Sequence, residues 1–559
     1  MAAQQDNLVD SNFSTRPRTG GAIFGSLRWQ GDPDSLRSSF PIGRLLPELL
    51  ADVFEWYIIT IFNSLRLEAI GMEDIFQGAR GLEDQPNPYC WLVIRHVCRE
   101  WRQISLTYPR LSSYICLTRP ECVQDLLSKS ADVHLHIYTP QLVPQHSVEA
   151  YQKSWTLVSD RLFRAVSADL FIPEEGLHPP VGPGRLPSNM EELRVMYGLG
   201  RTRDQRNGPF TITTAPLSKL RACTLIHATF QDVSPFLVPS LRCVNLDLLS
   251  ASSLGDHAAI ISMLNSTPNL EELTLRGIGS DWYQGGMRIG PEGMVVAAPP
   301  WSLGKKATLP CLREVLLQGL AGEQHFQVLD HIESPPLQVL DLEASAIACT
   351  SLYERIAESI NRHVRAMPAR SAVISLGKDQ DRSPGFVVMI YLWSDCHDIT
   401  NDLKSSTAVS EARPIFSLCV DFTDESFAAQ VIRRLRLPTV TTVLFQERGR
   451  TAASMWQMAL EIFPGTRELQ LEYTFPSWPG YHRTHAPPTA LWEEGPNSLV
   501  TLLPNLQKVH VYMVRHERVE DRCTDFAALA HALEAHFNME WEELESDVAG
   551  TRGLLSRLL

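Results

Sequence analysis

The sequence predicts an α/β protein in which a pair of N-terminal helices precedes a long region of alternating strands and helices. Between residues 45 and 104, apolar residues recur at the three- and four-residue spacing that lines one face of a helix. From about residue 186 onward, a six-residue template recurs with apolar residues at its first, fourth and sixth positions. The alternation at the end of this template is typical of a strand with one buried face.

Composition and charge narrow the possible functions. The 559 residues carry 50 Lys and Arg against 64 Asp and Glu, a net charge of -14, which argues against nucleic-acid binding because that requires clustered cations. Eleven cysteines without a CxxC pair indicate neither a disulfide framework nor a zinc site. No apolar stretch reaches the roughly 18 residues of a membrane span, and a secretory signal is not evident. We therefore expect a cytoplasmic or nuclear protein with no membrane partner.

The first predicted helix follows a polar, flexible segment at residues 1–40. Pro47 suits the first turn of a helix because its missing N–H would be unpaired there, and Glu48 favours the positive end of the helix dipole. The apolar row of this helix consists of Leu46, Leu49, Leu50, Val53, Phe54, Tyr57, Ile58, Ile61, Phe62 and Leu65. This row is wider than one buried face requires, so we expect part of it to contact another protein.

A second helix is predicted after an insertion at residues 66–89 that is rich in glycine and proline. Its apolar stripe consists of Cys90, Ile94, Val97, Trp101 and Ile104, and Pro109 ends it. The alternative interpretation is that the two helices form a hairpin that packs only on the rest of its own chain and binds no partner.

These two segments resemble an F-box, the adaptor-binding module of SCF-type ubiquitin ligases. The F-box pattern Leu-Pro-Pro-Glu-Leu-Leu-x-x-Ile-Phe is similar to residues 45–54, and its Val-Cys-Arg-x-Trp-Arg segment is similar to residues 97–102. The chain departs from the family at Leu46, which replaces the first proline, at Tyr114, where tryptophan is common, and in its long insertion. The resemblance covers residues 41–118.

The resemblance implies a Skp-type adaptor as partner and, through it, a cullin scaffold. The residues expected to contact the adaptor, or to support the fold that presents the contact, are Leu45, Pro47, Leu49, Leu50, Val53, Phe54, Ile94, Val97 and Trp101.

Residues 119–185 are predicted to link this module to the repeats. The chain here favours a strand at 114–117, a helix at 121–129, a strand at 133–138 and a longer helix at about 148–166.

Nine copies of the template L-x-x-L-x-L follow, at 190–195, 220–225, 241–246, 270–275, 312–317, 337–342, 440–445, 466–471 and 506–511. Proline precedes several of them by two residues, as at Pro239, Pro268, Pro310, Pro438 and Pro504. Most intervals are near the period of about 20–29 residues of leucine-rich repeats, in which each unit is a strand and a returning helix. We therefore expect a leucine-rich-repeat-like solenoid at 186–365 and a second repeat-like block at 366–559, with an unrelated α/β domain as the alternative.

The second block departs from the repeat rhythm. Strands are favoured at 372–376, 386–393 and 415–422, and an acidic terminal helix at 540–547.

No pattern of catalytic residues supports an enzyme, a cofactor or a metal. Cys396, His397 and Asp398 are adjacent, whereas triads are assembled from distant positions. His134 and His136 alternate on one strand without a third metal ligand nearby. The predicted function is that of a substrate receptor: the F-box-like module binds the adaptor, and the repeats bind a protein substrate. A repeat scaffold without a link to ubiquitin is the alternative, and an unrecognised enzyme built on the α/β portion is a weaker one.

Overall fold

The computed structural model describes residues 45–68, 88–139, 148–172, 188–197, 217–228, 233, 236–248, 257–277, 306–321, 328–347, 353–378, 386–394, 414–422, 425–447, 453–474, 501–515 and 538–545. The predicted N-terminal segment 1–40 and residues 69–87 of the predicted insertion lie outside these ranges.

The described part of the N-terminal module contains three α-helices. Helix α1 spans Pro47–Glu68, a 3-10 turn spans Cys90–Val93, and α2 (Ile94–Val97), α3 (Arg99–Thr107) and a second 3-10 turn (Pro109–Ser112) follow. The prediction of one helix from residue 90 to 104 is wrong because Cys98 is extended, with φ −155° and ψ 172°. The Sγ atom of Cys98 accepts the N–H of Trp101 at 3.4 Å. Cys98 therefore caps α3, since a helix start leaves N–H groups that need an acceptor.

The linking region begins with the predicted strand, helix and strand: β1 (Tyr114–Cys116), α4 (Pro120–Lys129) and β2 (Leu135–Tyr138). The next helix, α5 (Val148–Ser159), is shorter than predicted, and β3 occupies Ala165–Ile172. The ladder with β2 accounts for this difference, because β3 pairs with β2 in parallel. Arg164, which is buried, donates to the carbonyl groups of Ser130 and Val133 at 3.2 and 2.8 Å and fixes the start of β3.

The remaining elements alternate between strands and helices. In chain order they are β4 (Glu192–Tyr197), β5 (Ala222–Ala228), β6 (Cys243–Leu248), α6 (His257–Asn265), β7 (Glu272–Gly277), β8 (Ala307–Thr308), β9 (Glu314–Ala321), β10 (Ile332–Glu333), β11 (Val339–Ile347), α7 (Tyr353–Val364), β12 (Ser371–Lys378), β13 (Phe386–Trp393), β14 (Phe416–Phe422), α8 (Glu425–Ile432), β15 (Thr442–Glu447), α9 (Ala453–Leu460), β16 (Glu468–Thr474), β17 (Lys508–Arg515) and β18 (Asn538–Glu545). Each of the nine templates forms a strand that begins at its third residue.

The same turn precedes most of these strands. In each turn the first template residue donates its N–H to the carbonyl three residues earlier, as Leu241 does to Val238 and Leu270 does to Thr267, both at 3.1 Å. The second template residue then donates to the preceding template. The pairs are Arg221 to Glu191, Arg242 to Arg221, Glu271 to Arg242, Arg313 to Glu271, Gln338 to Arg313, Arg467 to Thr441 and Gln507 to Arg467, at 2.7–2.8 Å. Proline suits this turn because its fixed φ favours the second turn position.

Sixteen of the described strands form one sheet in the order β1-β2-β3-β4-β5-β6-β7-β9-β11-β14-β13-β12-β15-β16-β17-β18, and β8 and β10 form a small parallel pair. Neighbours are parallel except that β13 runs antiparallel to both β12 and β14. The template is absent from the part of the sequence that forms these antiparallel strands. The fold is therefore mixed α/β with a large, mostly parallel sheet.

The predicted C-terminal helix at 540–547 is wrong, since residues 538–545 form strand β18. Its register with β17 runs from Lys508 opposite Asn538 to Arg515 opposite Glu545. The edge of β17 pairs with residues 538–545 along its whole length, and this tertiary pairing overrides local helix preference.

The core lies on one side of the sheet. Template positions one, four and six are buried there, as Leu270, Leu273 and Leu275 illustrate. Helix side chains such as Ile260 and Ile356 join the same cluster, which runs without a break from Leu50 in α1 to Val509 in β17. In the described part of the chain, the helices are all too short or too polar to cross a membrane.

Candidate protein-docking surface

Helix α1 is anchored by a row of side chains spaced four residues apart. Leu50, Phe54, Ile58 and Phe62 are buried. The Phe54 ring meets Trp101 of α3 edge-on, with ring centroids 4.8 Å apart. The Phe62 ring also meets the rings of Tyr114 in β1 and Tyr138 in β2 edge-on. The ring centroids are 5.6 and 5.7 Å apart. Because this face packs on both the helical module and the sheet, α1 is held rigidly against the main core.

A second set of apolar side chains on and beside α1 is exposed to solvent. We call this set the apolar surface; its members are Leu45, Leu46, Leu49, Val53, Trp56 and Tyr57, together with Val93 and Val97 of the following segment. Trp56 is 73% exposed and Leu46 63% exposed. Leu46 lies just before α1, and at ~100° per residue the α1 members at positions 49, 53, 56 and 57 fall on one continuous arc of the helix. Helix α1 therefore carries apolar residues on two different faces.

Most of the exposed large apolar side chains lie on or just before α1, and two more lie in the segment 93–97. Within the ranges whose exposure is described, only Leu106 and Phe163 are further large apolar residues exposed to solvent. Scattered exposed apolar residues are normal on a protein surface, but a contiguous group indicates a binding site. The apolar surface is therefore the candidate functional site of this chain.

The side of α1 next to the apolar surface is acidic and forms ion pairs with the 3-10 turn before β1. Arg110 lies 3.5 Å from both Asp52 and Glu55. Glu55 also accepts a hydrogen bond from the Tyr114 hydroxyl; burial first, and then the negative charge and hydrogen bond of Glu55, raise the pKa of Tyr114 to about 12. These contacts fix the rotation of α1 about its axis and thereby keep the apolar surface turned outward.

The segment 90–97 exposes two valines to solvent. Trp91 and Ile94 are buried, whereas Val93 and Val97 are 54% and 56% exposed. The 3-10 turn at Cys90–Val93 packs on α1.

A charged cluster secures this segment to α4. The Arg95 guanidinium lies 5.6 Å from the centre of the Trp91 ring, and its Nη1 atom lies 3.1 Å from Asp125 Oδ2. Asp125 also pairs with Lys129. Partial burial would raise the pKa of Asp125, but hydrogen bonds from Lys129 and Arg95 outweigh it and hold the pKa below its usual value. The carboxylate therefore stays charged and keeps Arg95 in place.

The structure divides the nine predicted site residues into two groups. Leu45, Pro47, Leu49, Val53 and Val97 are exposed, whereas Leu50, Phe54 and Ile94 are buried and Trp101 is half-buried. Only the first group is accessible to a partner; the second supports the fold that presents it.

Four exposed apolar residues were missing from the predicted site. Leu46 and Tyr57 belonged to the predicted apolar row, but the family pattern did not mark them. Trp56 and Val93 gave no sequence signal beyond being large or branched apolar residues within a helical segment.

The other residues considered for chemistry do not form a site in the described part of the chain. Cys396, His397 and Asp398 lie outside the described residues. The His136 ring stacks on Tyr114 at 4.7 Å, and His134 is exposed. Within the described ranges, no group of His, Cys, Asp or Glu side chains is arranged to hold a metal ion.

Comparison with protein-family models and with curated proteins found no relative of this chain. No protein-family model matches the chain, and no curated protein shows significant sequence similarity to it.

Proposed function

We propose that this protein is the substrate-recognition subunit of an SCF-type ubiquitin ligase and that its apolar surface binds a Skp-type adaptor. The observation that carries the proposal is the exposed apolar arc of α1, at the segment whose sequence resembles an F-box. Burying such an arc under a partner is favourable because apolar area leaves water.

The same arc argues against the alternative in which the helices merely cap the repeats. A cap needs one apolar face toward the repeats and a polar face toward solvent. Helix α1 already fills the first role with Leu50, Phe54, Ile58 and Phe62. Leu49, Val53 and Trp56 lie outside that face and have no role in a cap.

We further propose that the sheet is a leucine-rich-repeat-like solenoid that carries the substrate site. Three regularities support this: the strand begins at the same template position in all nine copies, the same turn precedes most strands, and one backbone hydrogen bond links successive templates. A solenoid presents a long surface on which a protein segment can lie.

The mechanism we propose is proximity. The adaptor would connect this chain to a cullin scaffold and a RING subunit, and this chain itself would catalyse nothing. Because one continuous core joins α1 to β17, a substrate held on the sheet keeps a fixed position relative to the adaptor. Such positioning raises the effective concentration of the substrate near the conjugating enzyme. The proposed site of action is the cytoplasm or nucleus.

The test is co-purification of a Skp-type adaptor with the full-length protein. A Leu49→Asp/Val53→Asp variant should lose the adaptor, because both residues are about half exposed and their substitution leaves the buried face of α1 intact. Each change removes ~1 kcal/mol of apolar burial and adds the cost of dehydrating a carboxylate, so the pair should lower affinity by about a thousandfold.

Phe163→Asp is the matched control, since Phe163 is 63% exposed but lies in the 3-10 turn before β3. It should retain the adaptor. If neither the wild-type protein nor the Phe163→Asp control captured the adaptor, the ligase proposal would be contradicted. A scaffold without a link to ubiquitin would then be the better account.

A further inference from the structure

The helix ends and turns that lead into β12, β15 and β16 carry a group of arginine side chains. We call this group the arginine patch. Its members lie at the end of α7, just after α8, and just before β12 and β16: Arg362, Arg365, Arg370, Arg433, Arg434, Arg436 and Arg467. All seven side chains are exposed to solvent. They form a basic surface on a chain whose net charge is -14.

One buried amide joins the two helix ends of the patch. Asn361 of α7 is 8% exposed. Its Nδ2 atom donates to the carbonyl oxygen of Arg434 at 2.8 Å, and its Oδ1 atom accepts the N–H of Arg436 at 3.1 Å. Helix α7 also packs against α8. The backbone that carries the arginines of both helix ends is therefore held in one fixed arrangement.

The turns before the strands are joined by backbone hydrogen bonds. Thr441, which precedes β15, donates its N–H to the carbonyl oxygen of Arg370 at 2.7 Å, and Arg467 donates its N–H to that of Thr441 at 2.7 Å. Leu437 donates to the carbonyl oxygen of Ile462 at 2.8 Å, which ties the turn after α8 to the end of α9. Arg370 and Arg467 therefore lie two strand spacings apart, ~10 Å.

Part of the patch has a structural explanation. Arg434 Nη2 lies 2.7 Å from Glu354 Oε1, and Arg362 Nη1 lies 3.7 Å from Asp330 Oδ1. Cations are also favourable near the C-terminus of a helix, because the carbonyl groups there carry partial negative charge. These interactions explain why arginine is favourable at the two helix ends.

Three members of the patch lack this explanation. In the part of the chain that the structure describes, no hydrogen bond or ion pair holds the guanidinium groups of Arg365, Arg370 and Arg467. Arg370 and Arg467 directly precede strands, so no helix dipole favours them. Glu468, which follows Arg467, lies 2.9 Å from His510 instead. The three guanidinium groups are therefore available to an anionic ligand.

The exposure of the patch indicates the kind of anion that it fits. A small anion touched from one side would bind weakly, because a single exposed ion pair contributes little. An extended chain with several carboxylates forms several pairs at once, and their contributions combine. The arginine fork matches a carboxylate with two parallel hydrogen bonds. The ~10 Å between Arg370 and Arg467 corresponds to about three residues of an extended peptide.

A peptide fits the patch better than a nucleic acid does. Within the described ranges, the large apolar residues that are exposed all lie between positions 45 and 163. The patch therefore has no exposed aromatic ring in those ranges on which a base could stack. The net charge of -14 also repels a long phosphate polymer, whereas a short acidic segment contacts only the patch.

We infer that the arginine patch binds an acidic, extended segment of a partner protein, with carboxylates of that segment on Arg365, Arg370 and Arg467. The inference goes beyond the proposed function, because binding of the segment does not require the adaptor. Only the identification of the partner as a ligase substrate rests on the proposed function.

The test uses the full-length protein and a fluorescein-labelled peptide of alternating glutamate and alanine. The same peptide with lysine in place of glutamate is one control, and a thymidine oligonucleotide of equal net charge is the other. Fluorescence anisotropy should show that the glutamate peptide binds more tightly than either control and that its binding weakens with added salt. Equal or tighter binding of either control, or no binding of the glutamate peptide, would overturn the inference.

A double variant and a matched control locate the binding. Arg370→Gln/Arg467→Gln should weaken binding of the glutamate peptide by about tenfold, since two exposed ion pairs are lost. Arg221→Gln/Arg313→Gln removes the same charge from exposed positions that directly precede β5 and β9, and it should leave the affinity unchanged. Equal losses in the two double variants would mean that net charge alone attracts the peptide, which would overturn the inference.

Folding and adaptor capture are separate readouts. The melting temperature of Arg370→Gln/Arg467→Gln should equal that of the wild type, because neither guanidinium has a partner in the described part of the chain. A lowered melting temperature would mean that the arginines serve folding, which would overturn the inference. Wild-type protein that binds the peptide but captures no adaptor would refute the proposed ligase function and leave this inference standing. Adaptor capture without peptide binding would refute this inference alone.

Discussion

Two aromatic residues on α1, only two positions apart, should respond in opposite ways to truncation. Phe54 is 2% exposed and packs edge-on against Trp101, whereas Trp56 is 73% exposed. Phe54→Ala should therefore destabilise the fold and Trp56→Ala should not. The affinity for the adaptor should respond the other way: among proteins that remain folded, Trp56→Ala should weaken adaptor binding and Phe54→Ala should not.

The magnitudes follow from burial. Phe54→Ala removes a buried ring from a packed core, which typically costs ~3–5 kcal/mol. Trp56→Ala should change the free energy of unfolding by no more than ~0.5 kcal/mol because its side chain is mostly in water. An aromatic side chain buries about 150–250 Å² in an interface, so covering the exposed part of Trp56 is worth roughly 2–4 kcal/mol of binding. That corresponds to an affinity loss of about thirtyfold to a thousandfold.

Urea unfolding followed by circular dichroism measures the first quantity, and biolayer interferometry with immobilised adaptor measures the second. If Trp56→Ala destabilised the chain as much as Phe54→Ala, the assigned rotation of α1 would be wrong. If Trp56→Ala bound the adaptor like wild type, Trp56 would lie outside the docking surface.

Two other substitutions test the fold. Gly465→Ala should destabilise the protein by at least ~2 kcal/mol in thermal unfolding, because a Cβ atom there would collide with the Pro438 carbonyl oxygen and lie 3.1 Å from that of Val440; an unchanged melting temperature would contradict this close approach. Asp125→Asn should remove a pH-dependent part of the stability: the pKa of Asp125 is depressed in the folded state, so its contribution is present above the unfolded-state pKa and is lost as pH falls through the folded-state pKa. Urea midpoints of wild type and variant should therefore converge in acid, and parallel curves would refute the role of the cluster with Arg95 and Lys129.

The strands of the sheet were largely predictable because each is specified locally. Three local features suffice to define where a strand begins: apolar residues at template positions four and six, a turn residue before the template, and an apolar period of two. All nine templates became strands for this reason. The strands β12, β13 and β14 were also predicted, but their antiparallel order was not, since pairing partners are set by the whole sheet.

The errors arose where long-range pairing or a single backbone position decided the structure. Strands β3 and β18 replaced predicted helical residues because neighbouring strands offered them a ladder. The break at Cys98 depends on one extended residue within an otherwise helical pattern.

Part of the candidate site was anticipated in its residues, but its geometry was not. The apolar row of α1 is wide enough for two faces, and only the position of the sheet decides which face is buried. Phe62 packs on Tyr114 and Tyr138, and these contacts select the face of Leu50 and Phe54 for the core. Leu49 and Val53 are left outside as a consequence.

The central claim is that the apolar surface of α1 is a docking site for a Skp-type adaptor. Isothermal titration of the purified adaptor into the full-length protein at several temperatures tests it most directly, because burial of apolar area gives a negative heat-capacity change of binding. The account predicts saturable one-to-one binding with a negative heat-capacity change, and loss of binding in Leu49→Asp/Val53→Asp. Absence of saturable binding to the wild-type protein, or equal binding by the double variant, would contradict it.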